Sequence, residues 1–176
     1  MDDDAPLVRY TKFIAKYQEF KKNVLVGHSY DLSHSQFLFT EGDVRVCNFG
    51  LDFFNMVGKY LPQSGKKSAA LLIHCCDVEY GIVGNSNQML EFLYSRELSE
   101  LDGMVDIFRD MGVDLAVTGQ VISREADRPC TRYIGKIKLD CKEEPIDIYQ
   151  VLDAMSLSKK TLYLENKELF SKGVEL

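Results

Sequence analysis

The chain has 176 residues, the length of about one globular domain. With 27% charged and 45% hydrophobic residues, it is not described by disorder, collagen-like repeats or coiled coil. Lys plus Arg number 21 against 27 Asp plus Glu, a formal net charge of −6, which argues against a nucleic-acid binder that needs a basic face.

No apolar run approaches the ~20 residues that span a bilayer, so no membrane contact by this segment is expected. The acidic start Met1-Asp2-Asp3-Asp4 fits neither a signal peptide nor a transit peptide. Five cysteines at irregular spacing then read as reduced thiols, and the expected location is cytoplasmic.

Asp4-Ala5-Pro6 suits the start of a helix, and Leu7, Tyr10, Ile14 and Tyr17 then recur at helical spacing up to Lys21-Lys22. Val24-Leu25-Val26 is a short strand candidate before a polar loop over 27–35. Residues 36–40, the turn Glu41-Gly42-Asp43 and residues 44–49 read as strand, turn, strand. A second helix over 52–61 stops at Pro62.

Residues 69–73 form a nearly all-apolar strand, as expected where both faces are buried. Residues 77–84 read as a second strand paired to it, followed by a turn over 84–87. Leu98, Leu101, Val105, Phe108 and Met111 mark a third helix ending at Gly112, and 115–117 another buried strand. Residues 133–139 and 146–152 alternate as strands around a polar loop over 140–144. A last amphipathic stretch starts at Leu157, with 162–176 read as a helix that stops without a cap. The mixed order and the lack of a linker predict one α+β domain, a mixed β-sheet with helices packed on it. The domain is expected over 1–155, with 156–176 a helical extension leading into a further module.

Few residues suggest chemistry. His74-Cys75-Cys76-Asp77 looks like a ligand cluster, but neighbouring strand residues point to opposite faces and no second Cys/His pair has zinc-finger spacing. A buried structural role is the better reading. There is no nucleophile elbow, phosphate-cradling loop or HExxH helix. Asp43, after Gly42, could hold Mg²⁺ at a hairpin tip, although the pair also suffices to make a turn.

Four segments, in order, resemble the class III adenylate/guanylate cyclase domain. They are residues 39–43 (FTEGD, against K-x-x-G-D), 73–84 (IHCCDVEYGIVG, against G-I-H-T-G-E-V-x-x-G-x-V-G), 112–118 (GVDLAVT, against G-x-D-I-L-V-S) and 134–152. The last, IGKIKLDCKEEPIDIYQVL, is similar to L-G-x-V-x-L-K-G-x-x-E-P-V-x-V-Y-E-V-L in length, Glu-Pro and Tyr. The resemblance spans roughly residues 5 to 155 and implies the class III nucleotide cyclase-like fold, α+β with a ferredoxin-like mixed β-sheet flanked by helices.

It also implies what an active member needs. Two Asp hold two Mg or Mn ions, a Lys and a second residue read the base, and an Asn and an Arg from the partner domain orient the ribose and stabilise the transition state. Of these, only Asp43 matches, as the second metal ligand. The first metal Asp belongs to a strand before the first helix, which this chain enters without an F-x-D-I sequence. The base-reading Lys falls on Phe39 and its companion near Arg96, while the Asn and Arg fall on Ser99 and Gly103. Loss of one charge-stabilising donor costs about 3 kcal/mol of transition-state binding.

The resemblance therefore implies a catalytically degenerate cyclase-like domain, a pseudoenzyme with dimerisation or regulation within a cyclic-nucleotide signalling protein as its role. Its partner would be a second copy or another cyclase domain. One alternative is an adenylate cyclase of atypical site chemistry, converting ATP to 3′,5′-cAMP and pyrophosphate with Mg or Mn. The other is a module that binds ATP or another small ligand on the cyclase fold.

Overall fold

The computed structural model describes residues 24–26, 37–39, 46–60, 70–125 and 129–174. The first helix, the loop over 27–35 and the turn carrying Asp43 lie outside the described residues. The chain groups into two compact units, Met1–Val44 with Asp77–Ser95 and Arg45–Cys76 with Arg96–Leu176.

In the first unit, β1 (Val24–Val26) pairs antiparallel with β2 (Phe37–Phe39), placing Val24 opposite Phe39. β4 (Glu79–Asn85) and β5 (Gln88–Tyr94) form a second antiparallel ribbon around Ser86-Asn87. The Asn85 carboxamide oxygen closes this turn by accepting from the Asn87 and Gln88 amides, at 2.9 and 3.1 Å.

The second unit holds α1 (Val46–Tyr60), β3 (Leu71–Ile73), α2 (Arg96–Asp110), β6 (Leu115–Thr118), α3 (Gly119–Arg124), β7 (Thr131–Ile137), β8 (Ile146–Val151), a 3₁₀ turn at Leu152–Ala154, α4 (Leu157–Glu165) and α5 (Lys167–Val174). Its sheet has the order β3-β6-β8-β7, with β3 parallel to β6 and the other pairs antiparallel. Strand alternation gives each face its own core. Ala116, Ile146 and Ile148 pack with Leu101 and Phe108 of α2, while Leu115, Val117 and Val151 pack with Cys47 of α1. The sheet is thus flanked by helices, the mixed α+β arrangement expected from the sequence.

Several sequence readings hold in detail. α2 ends in a Schellman motif: Gly112 has φ 75°, its amide reaches Arg109 O at 3.0 Å, and the Val113 amide reaches Phe108 O at 2.8 Å. β6 is buried throughout. The β7–β8 hairpin follows the expected pairing, with a bulge between Tyr133 and Gly135 and Gly135 at φ 143°.

Others are corrected. The strand expected over 44–49 is not one, since Val46 onward is the first turn of α1 and β2 pairs with β1 instead. Apolar residues at 46, 49, 50, 53 and 54 follow helical spacing, and Val46 next to Cys47 already breaks strand alternation. The helix seats Gly50 on the sheet, where a Cβ would lie 3.0 Å from Ile73 Cδ1 and 3.2 Å from both Leu115 Cδ1 and Leu71 Cδ2. The Glu125 carboxylate accepts the Cys47 amide at 3.0 Å, satisfying one of the open donors at the start of α1.

The strand over 79–85 does not pair with 71–73. It pairs with β5, unassigned in the sequence reading, because a tight Asn-Ser-Asn turn joins them at low closure entropy. β3 instead lies parallel to β6, a non-local pairing that needs a crossover. The helix expected over 162–176 is divided at Asn166, whose side-chain amide takes the Leu162 carbonyl at 2.8 Å.

Candidate functional site

β3 delivers His74 to the second unit's interior, its side chain only 2% exposed. Thr118, the fully buried last residue of β6, lies 3.2 Å from Nδ1 through its hydroxyl. Nε2 lies 2.9 Å from the carboxylate of Glu97 in the first turn of α2. Lys142, from the β7–β8 loop, holds the same Glu97 oxygen at 2.7 Å.

Burial pulls the His74 pKa below its ordinary value of 6.5, and the carboxylate beside it only partly offsets this. At neutral pH the imidazole is therefore uncharged: Nε2–H donates to Glu97, and Nδ1 accepts from the Thr118 hydroxyl. The partner that matches Glu97 in charge is Lys142. Burial opposes Glu97 ionisation, but hydrogen bonds from Lys142 and His74 prevail and hold its pKa below 4.5.

One turn later, Glu100 accepts the Asp140 amide at 2.7 Å and lies 3.6 Å from Arg96. The start of α2 is thereby stitched to the end of β3 and to the β7–β8 loop. Thr, His and carboxylate in series imitate a hydrolytic triad, yet the hydroxyl has no exposure and no substrate could reach it. The cluster orients elements rather than reacting, in keeping with the structural reading of His74.

Cys47 is pushed up to about 12 by burial and by Glu125. Among the described residues no group of three His, Cys, Asp or Glu side chains could hold a metal ion. Asp43, the expected metal ligand, lies outside those residues.

Of the positions matched to substrate recognition, Phe39 closes β2, while Arg96, Ser99 and Gly103 lie along α2. A Cβ on Gly103 would meet nothing within 4 Å. An open groove of about 570 Å³ runs beside the β7–β8 loop, with Lys142, Glu143, Glu144 and Asp147 in its lining. Three carboxylates against one ammonium make it a poor receptor for a polyphosphate. Glu97 and Lys142 escaped the sequence reading because separate elements bring them to His74 and no short motif links the three.

No helix among the described residues is long and apolar enough to cross a membrane. No family model matches the sequence, and no curated protein does. Among solved structures, the chain is similar to a bacterial light-regulated adenylyl cyclase, with a TM-score of 0.59 and 15% identity over 94% of this chain and 52% of that one. A second structure of a bacterial light-regulated adenylyl cyclase gives 0.58 and 13%, over 99% of this chain and 52% of that one. The chain spans about half the length of the structures it matches, and what it has in common with them is the cyclase-like α+β fold.

Proposed function

We propose that this chain is a non-catalytic cyclase-like domain that acts by pairing with a second cyclase-like domain, in dimerisation or regulation within a cyclic-nucleotide signalling protein. The observation that carries the reading is on α2. Where the resemblance requires an Asn and a transition-state Arg, the helix has Ser99 and Gly103, and a side chain at Gly103 would stand in open space. Packing does not forbid an Arg there. The donor is missing for no steric reason, which is the pattern of a surface released from catalytic duty. The similarity in fold to adenylyl cyclases supports the cyclic-nucleotide context.

Pairing is supported by the β4–β5 ribbon. Ile82, Val83 and Met89 are more than half exposed, and Tyr80 and Tyr94 nearly so. A two-stranded ribbon is marginal by itself in water, and apolar groups gathered on one suit a partner's surface.

The test is an assay of the purified chain with ATP or GTP and Mn²⁺ or Mg²⁺, read as cyclic nucleotide and pyrophosphate, alongside sedimentation. The expected result is no turnover and a dimer that Ile82→Asp dissociates. Robust turnover abolished in Asp43→Ala would overturn the reading and favour an active adenylate cyclase. A monomer stabilised by ATP in a thermal-shift screen would overturn it in favour of a ligand-binding module.

A further inference from the structure

Arg132 is the second residue of β7, the edge strand of the four-stranded sheet, and is 8% exposed. Its guanidinium carbon sits 4.0 Å from the ring centroid of Tyr163 in α4 and 4.1 Å from that of Phe170 in α5. Nη2 donates to Gln150 Oε1 at 2.6 Å, across the β7–β8 pair. No carboxylate pairs with the guanidinium among the described residues. Arg132 Nε and the Gln150 side-chain amide nitrogen, both buried, have no hydrogen-bond partner there either.

The helices that supply the two rings are otherwise lightly held. α4 buries none of its residues. Leu157 and Leu169 are more than two-thirds exposed, and Leu162 more than half. Apart from the rings and a hydrogen bond between Tyr163 and Arg132, the fixed contact among the described residues is an ion pair from Lys160 to Asp153 in the 3₁₀ turn, between partly exposed groups that contribute little.

We propose that α4 and α5 form a releasable strap, fastened to the sheet edge by the insertion of Arg132 between Tyr163 and Phe170, which opens while the sheet stays folded. Closure sets two cation–π contacts and a hydrogen bond with Tyr163 on a desolvated guanidinium against a buried charge that has no counter-ion, and two buried donors that have no acceptor, among the described residues. Opening gives the charge and both donors back to water. Gain and cost are of the same order and act at one point, so the strap is poised between states, whereas β6 and β8 are bound into two apolar cores.

Native-state hydrogen exchange on the full chain, followed by mass spectrometry across sub-denaturing urea, tests this. Amides of 157–174 are expected to exchange at least a hundredfold faster than those of β6 and β8, through an opening with little urea dependence. Tyr163→Leu and Phe170→Leu should each raise exchange in 157–174 tenfold or more and leave β6 and β8 unchanged. If strap and sheet exchange through one common opening in the unmodified chain, or if either variant loosens the sheet equally, the proposal fails. The measurement on the unmodified chain decides the matter even where a variant does not fold.

Discussion

Acidification below about pH 6.5 protonates His74 in the unfolded chain before it does so in the folded one. The folded imidazole is 2% exposed and held with its pKa below 6.5, so the unfolded state binds more protons as the pH falls. Stability attached to this group is complete above 6.5, falls as the pH drops toward the folded pKa, and levels off below it. For one proton, the loss between pH 7.5 and 5.5 reaches at most about 1.4 kcal/mol, or about 3–5 °C in Tm for a chain of this size. Thermal melts at pH 7.5, 6.5 and 5.5 read this directly. His74→Gln keeps hydrogen-bonding capacity without the titration, and its melting curve should flatten by that amount. The two proteins differ at this one residue, so the comparison isolates His74. An equal pH slope in His74→Gln would refute the buried neutral imidazole. A separate loss is expected below pH 4.5, where the lowered pKa of Glu97 stops protecting the fold.

Two helical glycines should respond oppositely to the same change. Gly103→Ala, in open space on α2, should stabilise by about 1 kcal/mol in urea titration through helix propensity alone. At Gly50→Ala, the same gain meets three side-chain contacts of 3.0–3.2 Å from Leu71, Ile73 and Leu115. Overpacking of about 1–3 kcal/mol should leave that variant neutral to about 2 kcal/mol less stable, and equal stabilisation of the two would contradict the seating of α1. Gly84→Ala drives a Cβ into the Gln88 carbonyl oxygen and places it 2.8 Å from Met89 Cα, so backbone must move. Its β4–β5 ribbon should lose amide protection, and unchanged exchange over 79–94 would contradict the register.

What was legible in the sequence follows from how local the determinants are. α2 carries its own period and its own Gly112 stop, and β7 and β8 face each other across one short loop, so neither needs distant information. β3 is different: three apolar residues mark a buried strand, but nothing in them selects β6 as neighbour over the nearer β4. At 44–49 two periods overlap in a window too short to separate them. The deciding fact, that Gly50 lies against β3 and β6, is tertiary. α3 went unassigned for a related reason, since six residues scarcely exceed one helical turn.

The candidate site divides along the same line. His74, Glu97, Lys142 and Thr118 form one chain of contacts from the ends of two strands to a helix and a loop, with the hydroxyl and imidazole out of water. Replacing any one of them strands a partner in a low-dielectric setting, which is costly to folding whether or not the protein catalyses anything. Ser99 and Gly103 are exposed on α2, and exchanging Gly103, which faces open space, costs the fold little. Catalytic donors at such positions are held only by their chemistry, so once that chemistry is dispensable nothing physical retains them. A chain can therefore keep a cyclase-like fold at 15% identity, and the exposed positions of α2 are where a change costs that fold least. This asymmetry makes α2, rather than the His74 cluster, the informative surface for function.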